Sequence, residues 1–464
     1  MYGIIISFDC VYAIGQGDFF MAYAVRKRRL SSFQIIILGF VGIIVLGAVL
    51  LMLPISSASR SATSAEDSFF TATSAVCVTG LVVQDTATHW SRFGQVIILM
   101  LIQIGGLGVV SIATFIASLS GRKISLFQRS MLQDSISAHQ IGGVVKMTGF
   151  IFRMVFAIEA IGAVLLLPSF CSRFGWEGVW MAVFHSISAF CNAGFDIMGG
   201  HSGEFSSLTS LYGTIGVVLP ICILIVVGGI GFLTWDDIAT HKHHFKRYRM
   251  QTKMILITTL LLIVVPAAIM FFMDFAEYPF KERVCLSLFQ SITPRTAGFN
   301  TADMNLMTDV GRILIITLML IGGSPGSTAG GMKTTTLAVL CVNMGAIFRR
   351  KKATQAFGRR IDDGVVKTAG TLLMMYLILA FGAGMFISAY EGLPIGKCLF
   401  ETASAIGTAG LSLGITSSLG LASHLILIVL MFLGRVGGLT LMYAALSDSG
   451  AEVSRYPVER IVVG

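Results

Sequence analysis

The chain has 464 residues, 55% of them hydrophobic and only 12% charged, with a mean hydropathy of +0.83. A soluble domain carries about twice that charged fraction, so an ordinary globular protein is excluded and an all-α polytopic membrane protein is expected. The net charge of +9 gathers at 26–29, Arg122-Lys123, 242–253, and 349–352 with Arg359-Arg360. The positive-inside rule reads these clusters as cytoplasmic loops, not as a nucleic-acid surface.

Residues 1–32 form a cytoplasmic or disordered N-terminal extension. Asp9, Gln16 and Asp18 interrupt its apolar residues, and Met21 before the first basic cluster is an alternative start. No cleavable signal peptide is expected, because the basic cluster follows the apolar residues. Four units of one pattern come next, at 33–121, 146–240, 253–348 and 366–447, before a cytoplasmic tail at 448–464. Each reads as membrane helix, half-helix, loop and membrane helix. The first helices are Phe33 to Leu53, Met147 to Leu167, Met254 to Phe272 and Thr368 to Ala389. The half-helices, Glu66 to Val76, Val179 to Phe190, Glu282 to Ile292 and Ile395 to Ile406, are too short for about 30 Å of hydrocarbon. The second helices are Phe93 to Leu119, Tyr212 to Leu233, Val310 to Phe348 and Ala422 to Leu446, with paired glycines at 105–106, 228–229, 322–323 and 437–438. In the first, second and fourth units those glycines read as serving close helix packing alone. Eight spans put both termini on the basic, cytoplasmic side. The eight cysteines show neither a CxxC pair nor a Cys/His metal spacing, so no disulfide framework is expected.

Each half-helix runs into a loop ending alike: Val-Thr-Gly-Leu, Asn-Ala-Gly-Phe, Thr-Ala-Gly-Phe and Thr-Ala-Gly-Leu. The closing glycines, Gly80, Gly194, Gly298 and Gly410, are 114, 104 and 112 residues apart, the mark of a fourfold array around one pore. Backbone at membrane depth is tolerated where it is covered by protein or lines a water-filled path. Four such loops can present a ring of carbonyls that replaces a cation's hydration shell. Half-helices with their C-terminal ends toward the axis would favour a cation there. The competing reading is four packing turns.

The stretches Leu-Met-Leu-Pro-Ile-Ser (51–56), Gly-Gln-Val-Ile-Ile-Leu-Met-Leu-Ile-Gln-Ile-Gly-Gly-Leu-Gly (94–108), Phe-His-Ser-Ile-Ser-Ala-Phe (184–190), Thr-Pro-Arg-Thr-Ala-Gly-Phe-Asn (293–300) and Arg455-Tyr456-Pro457 make the chain resemble the Trk/Ktr/HKT superfamily of potassium transporters, most closely the Ktr-type membrane subunit. The likeness covers about 33–464. It implies potassium as the transported ion, sodium as a candidate activator, and no cofactor in this chain. It also implies a homodimer with one pore per protomer in the cell membrane, and a separate cytoplasmic nucleotide-binding regulatory ring. The loops at 242–253 and 349–360 are candidate docking surfaces for that ring, with anionic lipid the alternative. The filter residues implied are Cys77, Val78, Thr79 and Gly80; Cys191, Asn192, Ala193 and Gly194; Arg295, Thr296, Ala297 and Gly298; Gly407, Thr408, Ala409 and Gly410. Some sodium-preferring plant relatives have serine at the first glycine; Gly80 therefore implies the potassium-selective type.

The third unit's second helix cannot stay regular through Gly322, Gly323, Ser324, Pro325, Gly326, Ser327, Thr328, Ala329, Gly330 and Gly331. Met332 stands where a nucleotide-binding P-loop needs its lysine, which removes that reading. The resemblance implies an intramembrane gate at 322–331 with Arg435 beside it; a simple kink, and a structural pairing of Arg435 with a loop carbonyl, are the alternatives. Glu159 reads as a structural hydrogen-bonding group and His185 as a brace for its half-helix. A coupled secondary transporter of another solute is the competing function, against which stands the scarcity of intramembrane acids. No catalytic Ser/His or metal cluster suggests an enzyme.

Overall fold

The computed structural model describes residues 31–119, 125–136 and 143–437. The N-terminal extension with its basic cluster, Arg122-Lys123, and everything after Gly437, including Gly438 and Arg455-Tyr456-Pro457, lie outside the described residues.

The first helices of the units are α1 (Ser32–Met52), α6 (Val144–Phe174), α11 (Met250–Met273) and α15 (Asp363–Glu391), each long and apolar enough to cross a membrane. Ser31 starts α1 with a reciprocal capping box to Gln34, and Pro54 follows its end. The half-helices are α2 (Ala65–Val76), α7 (Glu177–Phe190), α12 (Phe280–Ile292) and α16 (Ile395–Gly407). At 1.5 Å per residue they are about 20 Å long, short of a span. Local chemistry sets their starts: the Ser64 hydroxyl accepts from the Asp67 amide at 3.0 Å, with Glu66 and Asp67 in the first turn of α2, while Pro279 and Pro394 precede α12 and α16.

The second helices differ from the sequence expectation. Hydropathy runs on through 93–119 and 212–233, but the chain breaks in both. α3 (Arg92–Leu107) and α4 (Val109–Leu119) meet at 94°, and α9 (Ile215–Gly229) and α10 (Phe232–His241) at 95°. The pivots, Gly108 and Gly231, have φ of 84° and 93°, a region that favours glycine. In the fourth unit, α17 (Leu421–Val436) stops at Gly437, φ 88°. In the third, α13 (Asp309–Leu320) and α14 (Thr334–Phe348) are separated by the Gly/Ser-rich loop. The remaining elements are α5 (Leu126–Ile136), the single turn α8 (Gly199–Ser202), and a hairpin of β1 (Gln355–Ala356) and β2 (Arg359–Arg360) turned by Phe357-Gly358, both at positive φ.

Each half-helix packs between the two helices of its own unit and also on the second helix of the unit before: α2 on α17, α7 on α3, α12 on α9 and α16 on α13. The units therefore close in the order one, two, three, four, one. Three glycines let a second helix approach the end of its own half-helix closely. A methyl group at Gly105, Gly228 or Gly434 would lie 2.0, 2.0 or 2.2 Å from the carbonyl oxygen of Val76, Phe190 or Ile406. Each stands three residues before its break and meets the carbonyl four residues before its unit's loop glycine. In the first two units the paired glycines thus do pack helices, as expected, while a neighbouring glycine bends the chain. In the fourth, Gly434 packs in place of the expected pair, of which Gly437 ends α17 and Gly438 lies outside the described residues.

Candidate functional site

At the centre the four loops repeat one backbone conformation. Val78, Asn192, Thr296 and Thr408 have φ of 55°, 59°, 71° and 49°, and Gly80, Gly194, Gly298 and Gly410 have 90°, 69°, 80° and 81°. Left-handed residues at alternate positions turn successive carbonyls the same way. The amides of Thr79, Ala193 and Ala409 each bond back into their half-helix, at 2.8 Å to the carbonyls of Ser74, Ser188 and Ser404. The third loop, one residue shorter, uses Ala297 to Thr293 at 2.9 Å.

The glycines meet in a ring. A methyl at Gly80 would lie 2.5 Å from the carbonyl oxygen of Ala193; at Gly194, 2.8 Å from that of Ala297; at Gly298, 2.9 Å from that of Ala409; at Gly410, 2.1 Å from that of Thr79. Each loop leans on the residue just before the next loop's glycine. The sixteen residues singled out above are brought together here, and all but Gly410 are buried.

On the side where the chain leaves the ring, a cavity of about 160 Å³ opens, lined by the four glycines and by Asp85, Asp196, Ser412 and Thr416 among others. Asp85 is held in place: Oδ1 accepts from the amides of Ala87 and Thr88 at 2.9 and 3.0 Å, and Oδ2 from that of Phe205 at 2.9 Å. Asp196 accepts from the Met198 amide at 3.0 Å, and burial pushes its carboxyl up to about 6.

On the opposite side lies the loop 322–331. Its Thr328 carbonyl accepts from Arg435, whose guanidinium also donates to the carbonyls of Gly105 and, at 3.0 Å, Gly106. Arg435 thus lies beside the loop and joins it to the first unit through carbonyls, the contact expected of a structural pairing. Lys333, at the loop's end, donates to the carbonyls of Ala329 and Gly330 at 2.9 and 3.3 Å. Ser324 and Gly331 bond to the carbonyls of Gly229 and Gly434 at 2.9 and 3.1 Å. The loop is fastened to helices of the second and fourth units.

Behind the ring, the Gln103 amide donates to both oxygens of Glu159 at 2.9 and 3.2 Å. His185 Nδ1 donates to the Met181 carbonyl at 2.7 Å, with its ring stacked on Phe170. Sequence reasoning missed the equivalent position in later units. Glu401, one residue after Phe400, accepts from Ser412 Oγ, the Leu413 amide and Thr416 Oγ1 at 2.6, 3.0 and 2.8 Å. Gln290, one residue after Phe289, donates to Asn300 Oδ1 at 3.1 Å. Both tether the segment that follows the ring glycine. The aligned half-helices carried this signal: Thr71, His185, Gln290 and Glu401 each follow the repeat's phenylalanine. His424 was missed too. It sits between Glu66 of the first unit, Nδ1 to Oε1 2.6 Å, and the Thr416 carbonyl, Nε2 to O 2.8 Å.

A profile of the family described as TrkH, cation transport protein, matches residues 13–453. The chain belongs to the TrkH family of cation transport proteins. Within this family's range, the chain is 40% identical over 451 residues to the potassium/sodium uptake protein NtpJ of Enterococcus hirae, covering 94% of this chain and 98% of that one. It is 36% identical over 447 residues to the Ktr system potassium uptake protein B of Bacillus subtilis, covering 95% and 98%. The crystal structure of the potassium transporter TrkH from Vibrio parahaemolyticus superposes with a TM-score of 0.71 at 19% identity, over 92% of this chain and 87% of that one. At that identity the superposition speaks to the fold. TrkH-family membership makes this chain a multi-pass membrane transport protein and not an enzyme.

Proposed function

We propose that the chain is the pore subunit of a potassium uptake system, with the four loops as its selectivity filter. The observation that carries this reading is the closed ring at Gly80, Gly194, Gly298 and Gly410, in which alternate left-handed residues leave carbonyls free to face a dehydrated cation. Potassium is favoured by the names of the relatives just described, and sodium, named for one of them, is a candidate activator or second substrate. The loop at 322–331, with Arg435, acts as a gate on the far side of the filter. Its fastening at both flanks and the guanidinium beside it suit a barrier that moves as a piece.

In this reading the basic loops face the cytoplasm and the acid-lined cavity is the outer mouth. The loops at 242–253 and 349–360 lie against one another, Lys253 Nζ standing 5.9 Å over the Phe245 ring and 5.8 Å over Phe357. That shared face is where a cytoplasmic nucleotide-binding ring would dock. The protein works as a homodimer, one pore per protomer. Purified protein in liposomes tests the function: with a set membrane potential and no second gradient, rubidium enters. Uptake that requires a proton or sodium gradient at every potential would establish a coupled transporter instead.

A further inference from the structure

Thr328 carries the loop's contacts to the second ring-forming loop. It is fully buried, and each of its polar groups is engaged with a different partner. Its amide donates to the Gly228 carbonyl at 3.3 Å, and its carbonyl accepts from Arg435. Its hydroxyl lies 3.0 Å from the Phe190 carbonyl and 3.3 Å from the side-chain amide of Asn192. It donates to Phe190 while accepting from the Asn192 nitrogen or, with that amide turned so that its nitrogen donates to the Ala189 and Ile225 carbonyls, shares its one proton between the Phe190 carbonyl and Asn192 Oδ1. Phe190 ends the second half-helix, and Asn192 is the left-handed residue of the second loop, φ 59°. Among the described residues, this is the hydrogen-bonded link between the gate loop and a ring-forming loop. The second loop cannot shift alone. Gly80 already leans on Ala193, and Gly194 leans on Ala297.

We infer that Thr328 is a positioning residue for ion discrimination: its hydroxyl holds the second filter loop in register, so the state of the gate loop reaches the filter. The inference rests on the conduction reading above and goes beyond it, since a gate set apart from the filter would change flux alone. The physical reason is that size discrimination by a carbonyl ring depends on where the carbonyls are held. A buried hydroxyl with two partners fixes a loop that has lost its helical hydrogen bonds.

The test uses the full-length protein in liposomes and measures how much sodium halves rubidium uptake. Thr328→Val keeps the shape and removes the hydroxyl; Thr328→Ser keeps the hydroxyl. Valine should lower discrimination against sodium roughly fivefold, about the weight of one hydrogen bond, and serine should match the parent. Asn192→Gly, which retains the left-handed backbone, should show a similar loss, and the double variant should be no worse than the larger single loss. A Thr328→Val protein with higher rubidium flux but parental discrimination would make Thr328 a latch only and overturn the inference, leaving conduction intact. If Thr328→Val does not reconstitute, parental discrimination in Asn192→Gly overturns it equally. Failure of the parent to take up rubidium under potential alone would instead overturn the conduction reading.

Discussion

The two sides of the glycine ring are built from opposite chemistry. On one side an open cavity carries Asp85 and Asp196; on the other, a packed loop is flanked by Arg435 of α17 and by Lys333, the residue before α14. The acids are held largely by backbone amides, and the bases spend their donors on backbone carbonyls. Neither side pairs its charges with the other. In the proposed reading, a cation approaching from the acidic side meets attraction, then the carbonyl ring, then a fixed positive charge. That order suits a path that accepts ions from one direction and needs a moving part to release them.

Breaking the basic side should have the largest effect. Two unit charges about 8 Å apart at an effective dielectric of 20 repel by ~2 kcal/mol, so Arg435→Ala should raise potential-driven rubidium flux by about thirtyfold at most. Arg435→Lys should raise it much less. Removing part of 322–331 should also raise flux and weaken control by a cytoplasmic partner. A correctly inserted deletion with parental flux, with and without that partner, would reduce the loop to a kink.

The ring between the two sides should respond in discrimination. Gly80→Ser and Gly410→Ser place a Cβ at φ of 90° and 81°, within 2.5 and 2.1 Å of a neighbouring carbonyl. A strained left-handed residue costs of order 1–3 kcal/mol, and potassium-over-sodium preference should fall by about tenfold or more. Sodium competition against rubidium uptake reads this; unchanged competition in both variants speaks against the ring as the filter.

Touching the acidic side should matter least. Asp196→Asn should lower uptake about two- to threefold at limiting potassium and low salt, an effect that added salt screens. With its carboxyl pushed up to about 6 by burial, Asp196 gains its proton as external pH falls through that value, so parental uptake should decline there. The Asn variant should lose that step, and a pH profile shared by both would place the titrating group elsewhere.

Much of the centre was legible because it is written four times. The recurring glycine, the half-helix before it and the loop residues share a register in the sequence, and they share a ring in space. The broken second helices were not legible. Hydropathy is continuous through 93–119, and Gly105-Gly106 looks more significant than Gly108, yet Gly108 alone takes a positive φ and turns the chain by 94°. A bend at one residue leaves no periodic trace. The loop at 322–331 announced itself because ten residues must leave the helix together, Pro325 among them. Glu401 and Gln290 were hidden differently. Their partners lie ten to fifteen residues ahead, beyond the turn, where no helical or strand spacing connects them.

His424 gives the array a property that follows from its connectivity. Three of the four joints between units are peptide-linked, but the joint from the fourth back to the first has no covalent link. There α17 rests on α2, and His424 bridges Glu66 to the Thr416 carbonyl. The chain is a hoop with a clasp. During assembly the first unit must wait, unsealed on one flank, until the last is made, so its exposed half-helix depends longest on lipid or chaperone cover. In the finished protein the same joint is where the hoop can spring, and amide exchange along α2 and α17 should be faster there than at the three sewn joints.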